Sequence, residues 1–165
     1  METALNLSEI MQSTLSEFAP GHVIQNVPPQ RLPAWWIQHH VMWATYTPVN
    51  AEGTLWKLMM NIRLRVFSPR TGKIADVSAD SLAMKAHSYI QKCTEVGKEV
   101  SGVVLRGYTL TQVPNTEFQV AAITTVAGEQ SDSTLTLTAF APRDVLFGAP
   151  NMEEPSQALR ELGVL

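Results

Sequence analysis

The chain has 165 residues, 45% of them apolar and 16% charged, with a formal net charge of −3; that length fits one ordinary domain, with a core large enough to need neither disulfide nor metal. The charged share lies below the rough quarter usual in soluble chains, a surface that favours cover by partner chains. No basic run offers a footprint for free duplex nucleic acid, and no apolar run approaches the roughly 18 residues that span a bilayer.

Cys93 is the single cysteine, which excludes an internal disulfide and points to a reducing compartment. Met1-Glu2-Thr3 lacks the basic and apolar regions of a signal peptide.

In chain order, Leu7, Ile10, Met11, Leu15 and Phe18 recur at helical spacing and predict a helix from Leu7 to Phe18. Asn6 followed by Glu9 has the layout of a capping box, and Ala19-Pro20-Gly21 stops the helix. The connector Val27-Pro28-Pro29-Gln30-Arg31-Leu32-Pro33 favours extended backbone. It leads into a predicted strand over Ala34–Thr47, ended by Pro48.

The clearest strand runs from Thr54 to Phe67. Trp56, Leu58, Met60, Ile62, Leu64 and Val66 form one parity set, and Lys57, Asn61, Arg63 and Arg65 belong to the other. Strict alternation buries one face and wets the other. Asn50 and Gly53 close the two strands into a long hairpin. Ser68-Pro69-Arg70-Thr71-Gly72 reads as a loop.

A second helix is expected over Ser78–Cys93, with Leu82, Ala86, Tyr89, Ile90 and Cys93 on one stripe. Three shorter strands follow, Val103–Val113, Glu117–Val126 and Thr134–Phe140, with turns at Pro114-Asn115 and Gly128–Ser133. The expected organisation is a single α+β domain over residues 1–142, in α-β-β-α-β-β-β order, with an antiparallel sheet and both helices packed on one face. Residues 143–165 form a C-terminal extension with a short helix at Ser156–Leu162.

No constellation carries catalysis, a cofactor or a metal in this reading. His39 and His40 are adjacent in a strand and point to opposite faces, and His22 and His87 stand alone. Cys93 reads as core, and Gly72-Lys73 lacks the rest of a phosphate loop. Two features stand out instead. Trp35-Trp36 places one indole away from the core, where it is either covered by the chain or buried against a partner. Arg63 and Arg65, with Lys57, Met59 and Phe67 on the same parity and Arg70 in the loop beyond, mix cations and apolar side chains in the manner of a subunit interface as well as of a solvated face. The candidate interface residues are therefore Trp35, Trp36, Lys57, Met59, Arg63, Arg65, Phe67 and Arg70.

A short helix passes through a proline-containing loop to a long hairpin whose second strand ends in Arg63-Leu64-Arg65-Val66-Phe67-Ser68, followed by a helix and a closing antiparallel pair. This layout resembles the tail terminator (tail completion) proteins of tailed bacteriophages. The resemblance covers about Leu5 to Ala141 and carries no catalytic residues. It implies a homo-oligomeric, hexameric ring that caps the tail tube and meets the head connector in the virion, made in the host cytoplasm, with no specific nucleic acid and no membrane as partner. Other neck, tube or baseplate subunits, and a secretion-machine adaptor, fit the same physics. A small-molecule-binding α+β domain is the rival of another class; polar groups converging in one pocket would mark it.

Overall fold

The computed structural model describes residues 5–25, 35–69, 78–120 and 127–148. Helix α1 spans Leu7–Phe18, and the side chain of Asn6 accepts from the Ser8 amide at its start. Ile10, Met11 and Leu15 are fully buried, as the periodic spacing requires. Strands β1 (Trp36–Pro48) and β2 (Leu55–Pro69) form the hairpin. In its turn Asn50 takes the Thr54 and Leu55 amides on Oδ1, and Gly53 sits at φ 69°, where a Cβ is disfavoured.

Helix α2 (Ala79–Glu95) begins at Ser78, whose hydroxyl accepts from the Ser81 amide, and carries Asp80 in its first turn and Lys92 in its last, each favourable to the helix dipole. It ends at Gly97 in the left-handed region: the Lys98 amide donates to Cys93 and the Gly97 amide to Thr94, the paired closure that only a residue tolerant of positive φ makes without strain. The helix buries Leu82, Ala83, Ala86, His87, Ile90 and Cys93. Tyr89 is only partly buried and packs on Phe18 of α1, ring centroids 5.4 Å apart.

Strands β3 (Glu99–Val100), β4 (Val103–Val120) and β5 (Ala127–Pro142) complete an antiparallel sheet in the order β1-β2-β5-β4-β3, and α3 (Arg143–Phe147) follows. The α+β class and antiparallel sheet match the sequence expectation. Three strands follow α2, as expected, but their bounds differ: Glu99–Val100 is a short strand not expected from sequence, and the expected strands Val103–Val113 and Glu117–Val126 are one strand as far as Val120, with residues 121–126 outside the described residues. Pro114-Asn115 is not a turn, because β4 passes it through register shifts between Leu110, Gln112 and Asn115; on its other side β4 pairs, among the described residues, only at Val103 and Val104, so the missing amide breaks no ladder there. Likewise 128–133, expected as a turn, lies inside β5. Helix α3 was not expected at all; its Leu146 is fully buried. The expected helix at Ser156–Leu162 lies outside the described residues.

Register fixes the two faces. Leu58, Met60, Ile62 and Leu64 of β2 stand opposite Ala139, Leu137, Leu135 and Ser133 of β5, and with α1 and α2 they close one core of fully buried side chains. Shortening Ile62 or Leu64 to alanine there is worth about 2–5 kcal/mol. The other face bears Lys57, Met59, Asn61, Arg63 and Arg65 opposite Phe140, Thr138, Thr136, Thr134 and Asp132.

Candidate interface on the polar face and edge of the sheet

The side chain of Arg63 donates from Nε and Nη2 to the two oxygens of Asp132 at 3.1 and 2.9 Å. Arg65 adds its Nε at 3.3 Å from Asp132 Oδ1, an ion-pair contact without hydrogen-bond geometry. Gln130 donates to Asp132 as well. Two guanidiniums therefore share one carboxylate, which leaves the patch one cation in excess on an acidic chain. Both arginines keep more than a third of their side chains in water, so the pairing contributes little to stability.

The tryptophan pair divides as its parity requires, but neither ring is left fully wet. Trp36 faces away from the helices, opposite Phe67 in register, and the two rings stack with centroids 4.9 Å apart. With Ile24 beside them they make a second small apolar cluster, Trp36 1% exposed and Phe67 8%. Trp36 Nε1 is buried without a partner. Trp35 stacks on His22 at 4.0 Å and packs against the main core. Cover by the chain accounts for both. Lys57 and Met59 lie on the polar face, each half-buried; Arg70 lies outside the described residues.

Two half-exposed apolar side chains of β1 were not singled out from sequence. Met42 is 50% exposed and Trp43 47%. Met42 is the extra residue of a bulge: Val41 pairs with Ile62 and Trp43 with Asn61, its neighbour. The bulge resets the alternation and puts Trp43 on the polar face.

Both residues lie on the outer strand, whose edge is covered only in part. His22–Gln25 runs beside the start of β1: the Ile37 amide donates to His22 and the Ile24 amide to Ile37. The side-chain amide of Gln25 continues this pattern by accepting from the His39 amide and donating to the His39 carbonyl, at 3.0 and 2.7 Å. Beyond His39 no segment pairs with that edge among the described residues. From Val41 to Thr47 the strand carries no charge and no proline, the usual guards of an open edge. An open cavity of about 430 Å³ lies at the covered end, lined by Gln25, Gln38, His40, Met42, Arg63 and Arg65 among others.

Two histidines are buried in polar settings on the helix side of the sheet. His87 places Nδ1 2.7 Å from the Tyr108 hydroxyl and Nε2 2.7 Å from the Ser133 hydroxyl. Ser133 is fully buried, so no substrate reaches this serine and histidine, and the trio acts as a polar pin between α2 and the sheet. Burial lowers the His87 pKa to about 4 and raises that of Tyr108. His39 faces Gln12, with Nε2 3.0 Å from Oε1. The Gln12 amide nitrogen is engaged by Val23 and Ser16, so its oxygen points at the ring, His39 Nε2 donates, and Nδ1 is left buried without a donor. Burial, then the neighbouring His40, lowers the His39 pKa to about 4. His39 and His40 stand opposite Leu64 and Arg63 in register, on opposite faces as expected. Cys93 is buried, as expected, and burial raises its pKa, the reverse of an activated thiol. Among the described residues no group of three or more His, Cys, Asp or Glu side chains is placed to hold a metal ion, and no helix is long and apolar enough to cross a membrane.

No protein-family model matches the chain, and no curated protein matches it. Among solved structures, the Salmonella SPI-1 type III secretion injectisome secretin InvG (residues 176 to the end, open gate state) is similar at 9% identity and a TM-score of 0.16, covering 81% of this chain and 45% of the secretin; a likeness of that size carries no argument here.

Proposed function

We propose that this chain is a structural subunit that works by assembling with other protein chains, in the manner of the phage tail terminator it resembles: a ring that ends a tail tube and meets the head connector. The observation that carries the reading is the bare stretch of β1, where two large apolar side chains stand half-exposed on an uncharged, unguarded strand edge. Such an edge is a template for pairing with another chain, and repeated head-to-tail contacts close into rings. The arginine patch beside it supplies cations for a polar rim. Light scattering after size exclusion, across salt and concentration, tests it. A discrete multi-chain species whose mass falls in a Trp43→Ser variant supports the proposal; a monomer at every concentration, unchanged by that substitution, overturns it.

One observation favours a second reading. The cavity beside Arg63 and Arg65 lies within the roughly 300–1,000 Å³ of small-ligand sites, and convergent polar groups line it. Its excess cation selects a small carboxylate or phosphate. A rise in melting temperature with such anions, abolished in Arg65→Gln, supports this reading; no shift beyond that given by chloride removes it.

A further inference from the structure

The sheet has a second open edge, on the side away from β1. Strand β3 pairs with β4 at Val103 and Val104, and the Leu105 amide donates to the Lys98 carbonyl. Beyond Leu105 no segment pairs with the outer side of β4 among the described residues. From Gly107 to Val113 that strand carries no charge and no proline, the same lack of guards as on β1 between Val41 and Thr47. Thr109 is exposed, and Val113 is 64% exposed.

The two open edges are complementary in direction and in level. Every neighbouring pair in the order β1-β2-β5-β4 is antiparallel, so β1 and β4 run in opposite directions. A second copy set beside the first in the same orientation therefore presents its β4 antiparallel to β1 and keeps its helices on the same side of the sheet. The registers put the open stretches on the same rows. Val41 leads through Ile62 and Leu135 to Leu110, Trp43 through Asn61 and Thr136 to Thr109, and Thr45 through Met59 and Thr138 to Gly107. The covered parts fall at opposite ends of this window. His22–Gln25 reaches only His39 on β1, and β3 ends at Val104, on the row of Thr47. Strand β4 bulges between Gln112 and Asn115, where the cover of β1 begins, and a bulge bends its strand. We propose that β1 of one copy pairs with β4 of the next over Val41–Thr45 and Gly107–Leu110, so that one antiparallel sheet runs on from copy to copy. The joint sets the half-exposed Trp43 beside Thr109 of the next copy. It joins unlike edges, and so repeats until the row of copies closes. Head-to-tail pairing rests on the reading of the chain as an assembling subunit and names the surface that receives its β1 edge.

Two full-length variants test the joint, each guarding one edge with lysine, the usual block to strand addition. One carries Trp43→Lys and Thr45→Lys on β1; the other carries Thr109→Lys and Val113→Lys on β4. Circular dichroism melting confirms that each is folded, and light scattering after size exclusion reads the mass. Each variant alone is expected to be a monomer. Mixed in equal amounts, they are expected to give a species of twice the monomer mass, because each supplies the edge that the other lacks. An assembled β4 variant, or a mixture that stays monomeric while the unaltered chain assembles, overturns the β1–β4 joint and leaves the assembly reading standing; a β4 variant that stops at two chains assigns the contact to two β1 edges. An unaltered chain that is monomeric at every concentration overturns both. A second measurement needs no edge to be blocked. Chains carrying Thr45→Cys are mixed with chains carrying Thr109→Cys and joined by a bismaleimide of about 8 Å span, the diagonal distance across neighbouring strands; the native Cys93 is buried. The mixed product is expected to exceed the two like products together by roughly fivefold or more, since β1 meets only β4 in this joint. Like products in equal or greater amount overturn it.

Discussion

Trp36 and Phe67 stack across β1 and β2 with their planes 11° apart, on the side of the sheet that the helices do not cover. This stack turns a residue of outward parity into a folding residue. Trp36→Ala is expected to lower stability by about 3 kcal/mol, the range of large aromatic truncations in a core, read as a shift of the urea midpoint. Trp36→Phe keeps the ring contact and removes a buried donor that has no partner; a cost below about 1 kcal/mol follows. An unchanged midpoint in Trp36→Ala would show the ring to be dispensable to the fold.

Met42→Ser and Trp43→Ser are expected to behave in the opposite way. Both side chains are about half exposed in the isolated chain, so stability moves by no more than about 0.5 kcal/mol. The mass in solution falls toward the monomer if the β1 edge is the assembly surface. Loss of stability with unchanged mass would separate the edge from assembly.

Arg63 and Arg65 differ in what they hold. Arg63 grips Asp132 with two hydrogen bonds, whereas Arg65 contributes a single longer contact. Arg63→Ala is expected to cost about 1 kcal/mol and Arg65→Ala less, given their exposure. A double-mutant cycle with Asp132→Asn reads the coupling. A larger coupling for Arg65 than for Arg63 would contradict this geometry.

The buried histidines set a pH dependence whose sign follows from their environment. Both His39 and His87 have pKa values lowered from 6.5 to about 4, so between those values the unfolded chain binds protons that the folded chain does not. Their contribution to stability is fully present above about pH 6.5 and declines as pH falls toward 4, at roughly 1 kcal/mol per pH unit for each ring. Urea midpoints at pH 7.5 and 5.0 are expected to differ by several tenths molar or more. Replacing His87 with Gln flattens part of that slope. A midpoint independent of pH in this window would show that neither ring stays neutral in the fold.

Much of this architecture is legible in the sequence because local chemistry and burial agree. Asn6 marks the start of α1, Ser78 and Gly97 bracket α2, and the Trp56–Val66 parity set names the buried face of β2 without error. Pro114-Asn115 misleads because its turn chemistry is local, whereas the register shifts that carry β4 through it depend on pairing with β5, a non-local partner. Met42 and Trp43 are missed for a related reason. A bulge has no composition of its own, so simple alternation assigns parity correctly up to Val41 and wrongly after it. Arg63 and Arg65 are placed on the correct face, but Asp132 is 67 residues beyond Arg65 in the chain, and only the β2–β5 register joins them.

The polar pins under α2 have a mechanical consequence. Asp80 receives the Ser131 hydroxyl, and two turns later His87 meets Ser133 and Tyr108. Aliphatic side chains tolerate a slide of one helix turn along a sheet by interdigitating anew, but hydroxyl and imidazole groups fixed at two points do not, since a slide would strand buried polar atoms. The helix and strands β4 and β5 therefore translate and rotate together as a single rigid slab, and among the described residues adjustment on meeting a partner falls to what the pins do not hold: the hairpin tip and the bare end of β1.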